Sequence, residues 1–244
     1  MSETYDIREY RPGDEVSLLE TFRAVFESGA IEQEPRSERE WNWAFRENPA
    51  GFRIWVAENE GSVVAQYAAL PSRVWIDGQE SAFAQIVDSM VHPEHRAGLK
   101  RPGLFVRTAW PFFDAYGGPD KDLVHYGWPI ETAWRIGKTF LKYEIVRTQC
   151  VLARGVGAFA AEHPSEVCEI ERFDEQARWL YDRCAGAFGA SAIRDDAYLN
   201  WRYVDHPRND YSIYGVRDAD GVLRGYAVYR QADLYMPNLG VVVD

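Results

Sequence analysis

The chain has 244 residues, of which 46% are hydrophobic and 27% charged, and its formal net charge at pH 7 is -11. This composition is typical of a globular protein and excludes the disordered and fibrous classes. The negative charge argues against nucleic acid and anionic membrane surfaces as partners.

The amino acid order also bears on location and redox chemistry. The longest apolar runs are shorter than the roughly 20 residues that cross a bilayer, and the start "MSETYDIREY" lacks the features of a signal peptide. We therefore expect a cytoplasmic protein. The cysteines Cys150, Cys168 and Cys184 have no CxxC spacing, which predicts neither a disulfide framework nor a cysteine metal site.

The first 91 residues predict a strand, two helices and three antiparallel strands. Alternation over Tyr5–Tyr10 predicts the strand, and Pro12-Gly13-Asp14 opens a helix. Ser37 and Glu40 form an S-x-x-E capping box that starts the second helix. The three strands read "FRIWVAE", "SVVAQYAALPSRVWI" and "SAFAQIVDSMV", and turns at Gly61 and Asp77-Gly78 join them.

From residue 103 the pattern changes to alternating helices and strands. A helix over Gly103–Tyr116, with a kink at Pro111, is followed by the short strand "LVHYGWP". A helix over Ile130–Phe140 and a strand "YEIVRTQCVLA" come next.

An internal repeat then appears. The stretch "WNWAFRENP", residues 41–49, returns as "LNWRYVDHP", residues 199–207, on a helix that we expect Asp195 or Asp196 to cap. The strands "YSIYGVR" and "VLRGYAVYRQ" then repeat the first hairpin. A repeat of this length indicates a duplicated domain and not a solenoid. We predict domains over residues 1–155 and 165–244, the second corresponding only to the first half of the other, and hence one functional site.

The basic stretch "HPEHRAGLKRPGLFVR" lies between a predicted strand and a predicted helix. Glycines at positions 98 and 103 allow backbone N–H groups to approach a ligand, and the start of the helix attracts anions, so the stretch predicts a pyrophosphate site. A Walker A loop is disfavoured because Leu104 and Phe105 stand where Lys and Ser or Thr are required. The alternative is an ordinary solvated basic loop.

The segment "VDSMVHPEHRAGLKRPGLFVRTA" resembles the acyl-CoA binding segment of the GCN5-related N-acetyltransferase (GNAT) superfamily, in which a strand ending V-x-P-x-x-R runs into a glycine loop and a helix. The downstream "YGWPIETAWRIGKTFLKYEIV" is similar to the next strand and helix of that family. The resemblance covers residues 5–153. The loop is two residues longer than the usual R/Q-x-x-G-x-G/A and contains Pro102, which has no N–H to donate.

The resemblance implies an α/β (α+β) fold with a GNAT-like mixed central sheet flanked by helices, followed by a partial second GNAT-like repeat. It also implies that the fourth and fifth strands splay apart and that acetyl-CoA, or another acyl-CoA, is a co-substrate. Tyr126, Gly127 and Trp128 would line the far side of the gap. The residues that would bind acyl-CoA are Met90, Val91, Arg96, Gly98, Leu99, Lys100, Arg101, Gly103 and Leu104.

Acyl transfer to an amine calls for a base and often for an acid that protonates the leaving thiolate. The candidates for these roles are Asp88, His92, His125, Tyr126 and Glu131. Family members often place a Tyr on the helix after the fifth strand, where this chain has Lys138, so Tyr126 or Tyr143 would have to substitute. A structural role is the alternative for each candidate. His92 and His95 with Asp88 could form a metal site, but the neighbouring cations disfavour it, and we expect no metal.

The resulting hypothesis is an acyl-CoA-dependent N-acyltransferase that acts on a primary amine of a small molecule or peptide. Glu34, Glu38 or Glu47 could recognise a cationic acceptor, and the alternative is that they are ordinary surface carboxylates. One alternative is a non-catalytic acyl-CoA binding or interaction module, and another is transfer of aminoacyl groups from charged tRNA. The final strand "VVVD" leaves an unpaired sheet edge, which favours a homodimer or a longer chain.

Overall fold

The computed structural model describes residues 4–26, 36–96, 102–148, 150–153, 155, 167–233 and 237–244. These residues form two units. Unit 1 is made of Met1–Tyr143 and Phe188–Ile193, and unit 2 is made of Glu144–Ala187 and Arg194–Asp244. None of the helices in the described part of the chain is long and apolar enough to cross a membrane.

Unit 1 is built on a mixed sheet with strand order β1-β2-β3-β4-β5. Neighbouring strands are antiparallel except β4 and β5, which are parallel. A short strand, β7, pairs with the end of β3. The strands are β1 Asp6–Glu9, β2 Arg53–Asn59, β3 Ser62–Ile76, β4 Gln79–Val91, β5 Asp122–Tyr126 and β7 Ala190–Ala192.

Helices cover both faces of this sheet. They are α1 Asp14–Phe26, α2 Glu38–Trp41, α3 Leu104–Tyr116 and α4 Glu131–Phe140. On one face, here called the α1 face, Leu18, Phe22 and Trp41 pack with Ile54, Val56 and Ala68. On the other, the α3 face, Ala109 and Phe112 pack with Tyr67, Ala69 and Ala84. Because side chains alternate along each strand, two separate cores result.

Two-residue turns connect the long strands of unit 1. Asp77 and Gly78 have φ of 50° and 80°, and Ile76 pairs with Gln79 across them. Glu60 and Gly61, with φ of 52° and 83°, connect Asn59 to Ser62 in the same way. Two successive positive φ values are typical of type I′ turns, whose twist matches that of the strands. The hairpins predicted from the sequence are therefore confirmed.

Unit 2 has its own antiparallel sheet, with strand order β10-β9-β8-β6. Its core contains Phe173, Leu199, Tyr203 and Val228. Its elements are β6 Val167–Glu169, α5 Gln176–Cys184, α6 Asp196–Leu199, β8 Ser212–Arg217, β9 Leu223–Ala232 and β10 Leu239–Val242.

The predicted helix starts are confirmed. Ser37 and Glu40 form the expected reciprocal capping box, and the carboxylate of Asp195 accepts a hydrogen bond from the Tyr198 N–H at 2.9 Å. Gly103 is the N-cap of α3, and Pro111 lies within that helix.

The strand predicted over residues 143–153 is absent from the described part of that segment. Ile145, Val146 and Leu152 are instead 74%, 89% and 97% exposed. The β-branched residues gave the segment the composition of a strand, but a strand needs a hydrogen-bonding neighbour, which periodicity alone cannot supply.

Candidate active site

The parallel pairing of β4 and β5 stops halfway along β4. The pairs run from Ala82 with Asp122 to Gln85 with Tyr126, and β5 then ends. Gly127 still approaches β4 closely, since a Cβ there would lie 3.0 Å from the carbonyl oxygen of Ile86. In the described part of the chain, no strand pairs with residues 87–91 on the β5 side. The second half of β4 therefore has a free edge, to which an extended ligand could add hydrogen bonds as a further strand does.

A β-bulge lies on this free half of β4. Val87 pairs with Ala68 and Met90 pairs with Gln66, so two residues of β4 face one of β3. One of those two, Asp88, has a φ of 48°, a conformation that few non-glycine residues adopt. The Gln66 Nε2 donates a hydrogen bond of 3.0 Å to the Asp88 carbonyl oxygen and holds the bulge in place. Bulges of this kind re-aim backbone and side chains and are frequent beside active sites.

Two polar groups at the bulge have unusual environments. The Asp88 side chain is 13% exposed, and Arg36 Nη2 lies 3.0 Å from each of its carboxylate oxygens. Burial raises the pKa of Asp88, and the attraction of Arg36 only partly offsets this effect. Gln66 is 3% exposed, and its Oε1 is buried without a hydrogen-bond partner among the described residues. The bulge thus presents a carboxyl of raised pKa and a free amide oxygen.

The N-terminus of α3 follows the loop after β4. Its N-cap, Gly103, has extended backbone and contributes no side-chain cap, and the first turn contains no acidic residue. Arg96, at the start of the loop, donates from Nε to the Val91 carbonyl oxygen at 3.0 Å. The positive end of a helix without an acidic cap is suited to bind phosphate. The other predicted ligands in the loop, Gly98, Leu99, Lys100 and Arg101, lie outside the described residues.

His125 lies on the α3 face of the sheet, where the rings of Phe112 and Phe113 pack against it at 5.3 and 5.2 Å. Its Nε2 is 3.4 Å from Oδ2 of Asp122, whose side chain has no exposed surface and also binds Arg53. Burial alone would raise the pKa of Asp122, but the proximity of His125 and the hydrogen bonds from Arg53 outweigh it and lower that pKa. The sheet therefore separates His125 from the bulge carboxyl.

Tyr126 and Glu131, two further catalytic candidates, lie in different environments. Tyr126 ends β5, where the pairing with β4 stops, and its ring is 5.9 Å from that of Trp128. Glu131 begins α4 with its side chain 75% exposed and paired with Arg135. Asp88 and Tyr126 thus lie close to the point where the β4–β5 pairing stops, whereas Glu131 faces solvent.

Tyr143 is engaged elsewhere on the α3 face. Its ring packs on Gly137 of α4, and its hydroxyl is hydrogen-bonded to that of Tyr67. Burial raises the pKa of both phenols, so each stays protonated over the physiological range. These contacts indicate that Tyr143 anchors α4.

The histidines near the loop have structural partners. His95 Nδ1 is 3.0 Å from the Tyr5 hydroxyl, and His92 caps the short helical turn Pro93–His95. The described residues contain no group of three or more His, Cys, Asp or Glu side chains that could hold a metal ion.

Sequence reasoning missed Arg36 and Gln66. Gln66 could have been found from the sequence, because it is a polar residue inside the apolar run "SVVAQYAAL". Burying an amide costs free energy, so its presence there indicates a specific role. Arg36 left no such signal, since an arginine before a helix cap is ordinary on a surface.

A search of the curated proteins returned no match. Solved structures similar to this chain include a probable N-acyltransferase from Enterococcus faecalis V583, with a TM-score of 0.63 and 16% identity, covering 94% of this chain and 55% of the other. Saccharomyces cerevisiae N-myristoyltransferase with bound myristoyl-CoA gives a TM-score of 0.57 and 12% identity, covering 99% and 65%. A GCN5-related N-acetyltransferase from Anabaena variabilis ATCC 29413 gives 0.62 and 16%, covering 94% and 55%.

This chain thus spans between about half and two thirds of the length of those proteins. At such identities the likeness concerns the fold, and it confirms the predicted mixed sheet flanked by helices. The family model described as an acetyltransferase (GNAT) domain matches residues 6–100. The matched residues, which include β1 to β4 and their bulge, are therefore similar to the GNAT acetyltransferase domain.

Proposed function

We propose that this protein is an acyl-CoA-dependent N-acyltransferase that acts on a primary amine of a small molecule or peptide. One observation carries the proposal: β4 continues beyond β5 with a free edge that begins beside a buried carboxyl. The GNAT match over residues 6–100 includes that carboxyl. The nature of the acyl donor and that of the acceptor amine belong to this proposal and not to the family match.

The free edge and the start of α3 fit the two parts of acyl-CoA. The pantetheine arm, which carries amide groups, would lie along Met90 and Val91, and the pyrophosphate would lie at Gly103 and Leu104. The first turn of α3 supports this assignment, because it contains no acidic residue whose carboxylate would compete with the phosphates. The other proposed ligands are Arg96, Gly98, Leu99, Lys100 and Arg101.

The bulge supplies groups suited to the acceptor. The neutral amine forms a bond to the thioester carbonyl carbon, the carbon–sulfur bond breaks, and CoA leaves as a thiolate that takes up a proton. Asp88 would accept the proton that the amine loses, a task that a raised carboxyl pKa favours. The free Oε1 of Gln66 would accept a hydrogen bond from the amine. Tyr126, at the end of β5, would donate a proton to the departing sulfur.

His125 and Glu131 are two further catalytic candidates. The contact of His125 Nε2 with Asp122 at 3.4 Å and the surface ion pair of Glu131 with Arg135 support structural roles for them. Neither side chain is needed for the proposed proton transfers.

Calorimetric titration with acetyl-CoA, a long-chain acyl-CoA and free CoA tests the proposal. We compare Gly103→Asp with Gly103→Asn, because both side chains are good N-caps and the extended backbone of Gly103 accepts either. The added carboxylate should repel the pyrophosphate and weaken binding by about tenfold, or about 1.4 kcal/mol, relative to Gly103→Asn. Absence of binding to all three ligands in the unchanged protein would refute the proposal.

A non-catalytic acyl-CoA binding module is the second candidate. Two observations favour it: Arg36 already occupies the Asp88 carboxylate, and Lys138 stands at the usual position of the helix tyrosine. Tight acyl-CoA binding without acylation of any amine in a broad acceptor screen would select this alternative.

A further inference from the structure

The two copies of the tryptophan motif fold alike, although they belong to different units. Each begins with a capped single α-helical turn, α2 or α6, and continues directly into a π-helical turn, Asn42–Arg46 or Asn200–Val204. The closing hydrogen bonds match: Glu47 N–H to Asn42 O is 2.9 Å, and Asp205 N–H to Asn200 O is 2.8 Å. We call each combination of α-turn and π-turn a tryptophan helix.

The strands around each tryptophan helix also share one register. Ile54 of β2 pairs with Ala68 of β3, and Ile213 of β8 pairs with Val228 of β9. Both strand pairs have a bulge three residues later, directly after Ala57 in unit 1 and directly after Val216 in unit 2. Ala68 and Val228 are therefore equivalent positions.

This register identifies the counterpart of Asp88 in unit 2. Ala68 pairs with Val87, and Asp88 follows. In unit 2 the N–H of Val243 donates to Val228 O at 2.9 Å, and Asp244 follows. Asp88 and Asp244 thus occupy the same place in their units.

An arginine binds each of these carboxylates. Arg36 and Arg194 directly precede the N-caps of the two tryptophan helices. Arg36 Nη2 lies 3.0 Å from both oxygens of Asp88, and Arg194 Nε lies 2.7 and 3.1 Å from those of Asp244. The carboxylate side chains are 13% and 11% exposed, so both carboxylates are largely withdrawn from solvent.

We propose that these two ion pairs are copies of one positioning device. In each copy, the arginine before the tryptophan helix holds an aspartate, which follows Val87 in unit 1 and Val243 in unit 2. The device joins the start of the helix to the strand, and in unit 1 it fixes the bulge. Guanidinium–carboxylate contacts are directional, which suits them to this task. The proposal also implies that residues 167–244 repeat the first half of unit 1.

One structural difference between the two ion pairs would give Asp88 and Asp244 different roles. The hydroxyl of Tyr203 donates to Asp244 Oδ2 at 3.1 Å, whereas the equivalent residue in unit 1 is Phe45, which has no hydroxyl. Among the described residues, Arg36 is the side chain that hydrogen-bonds the Asp88 carboxylate. Asp244 is therefore held by two donors, and Asp88 keeps more capacity to accept a proton. This last step rests on the proposed function, in which Arg36 is a positioning residue for Asp88.

Amide hydrogen exchange tests the repeated device without reference to acyl transfer. The reporters are the N–H groups of Glu47 and Asp205, measured in the full chain carrying Arg36→Gln, Asp88→Asn, Arg194→Gln or Asp244→Asn. Each single change should speed exchange at the reporter of its own unit, and the double change within a pair should add little to either single change. Additive effects within a pair, or an unmoved Asp205 reporter in Arg194→Gln, would overturn the proposal.

Carboxyl-carbon NMR tests the positioning of Asp88 itself, with Asp88→Asn to assign the signal. The charged groups that act on this carboxyl are Arg36, which favours its ionised form, and Glu40, which opposes it. Arg36→Gln should move the Asp88 titration to higher pH, and Arg36→Lys should restore part of the change. An unmoved titration would overturn the positioning role. Acyl-CoA titration of the unchanged protein reports separately on the proposed function.

Discussion

At the scale of single residues, Gly137 shows how one missing side chain positions a helix. The ring of Tyr143 lies against its Cα, well inside the space that a methyl group would need, and the Tyr143 N–H donates to the Gly137 carbonyl oxygen at 3.2 Å. The chain can therefore fold back over the end of α4 and place the Tyr143 hydroxyl against Tyr67.

Gly137→Ala should destabilise the protein by about 1–3 kcal/mol, because the methyl group would displace the Tyr143 ring. The sign is informative, since alanine in an ordinary helix interior stabilises by about 1 kcal/mol relative to glycine. Urea unfolding measures the change. Gly189→Ala, at a position with nothing within 4 Å of the new methyl group, is the control and should change stability little.

Asp122→Asn should destabilise the protein by about 3 kcal/mol at pH 7, because it leaves the charge of Arg53 without its buried partner. A carboxylate with a lowered pKa stabilises the folded state above its unfolded pKa, and this stabilisation is lost as pH falls through the folded pKa. The difference from the unchanged protein should therefore shrink below about pH 4. Unfolding curves at several pH values measure it.

The exposed Asp120 provides the control for that series. Asp120→Asn should stay within about 0.5 kcal/mol of the unchanged protein. A gap between Asp122→Asn and the unchanged protein that persists undiminished at low pH would contradict the assigned ionisation.

The candidate site could be predicted from the sequence only in part. The V-x-P-x-x-R segment located the end of β4 and its loop, and Asp88 was singled out as a carboxyl on that strand. Its pairing with Arg36 and the bulge that supports it depend on a contact between residues far apart in the chain, which one sequence does not display. The separation of His125 from Asp88 follows from which face of the sheet each occupies, and the irregular register of β4 changes that alternation.

At the scale of elements, the N-caps of the two tryptophan helices can be compared in one experiment. Ser37→Ala and Asp195→Ala each remove a side chain that accepts a hydrogen bond from a first-turn N–H, so each should cost about 1 kcal/mol. Exchange at the Glu47 and Asp205 amides reports the effect in each unit. Arg39→Ala, an exposed change in the first turn of α2, is the control and should leave the Glu47 amide nearly unchanged.

The caps of these helices were predictable, but their π-turns were not. A capping box is a local signal with fixed spacing. Over a single turn, the spacing of apolar residues does not distinguish an α-helix from a π-helix. In the first, each N–H donates to the fourth preceding residue, and in the second it donates to the fifth. The strand expected over residues 143–153 failed for a related reason, because its composition favoured a strand for which the described residues provide no neighbour.

At the scale of the whole molecule, the chain leaves unit 1 and returns to it. Residues 188–193 belong to unit 1, although the segments before and after them belong to unit 2. Within unit 1, β7 pairs with Val74–Ile76, and the Ile193 N–H donates to Arg73 O at 2.9 Å. A three-residue strand, Ala-Ser-Ala, carries no periodicity that a sequence could reveal, whereas the longer repeat was visible as a duplicated motif.

Ser191→Pro should destabilise unit 1 by about 1–3 kcal/mol, because proline removes an N–H from β7 opposite Trp75. Hydrogen exchange along the end of β3 would measure the loss directly. Ser191→Thr, which keeps the N–H and suits a strand, should leave exchange there unchanged. Equal exchange in the proline and threonine variants would show that β7 contributes nothing to the sheet.

The matching bulges in the two strand pairs bear on the order of events in the history of the gene. A bulge results from one extra residue in a strand, and bulges persist within families. Unit 1 has its bulge after Ala57 and unit 2 has its bulge after Val216, at the same place in the shared register. Under the proposed duplication, the extra residue was already present in the ancestral half before it was copied. On that proposal, the difference between Phe45 and Tyr203 arose after the duplication.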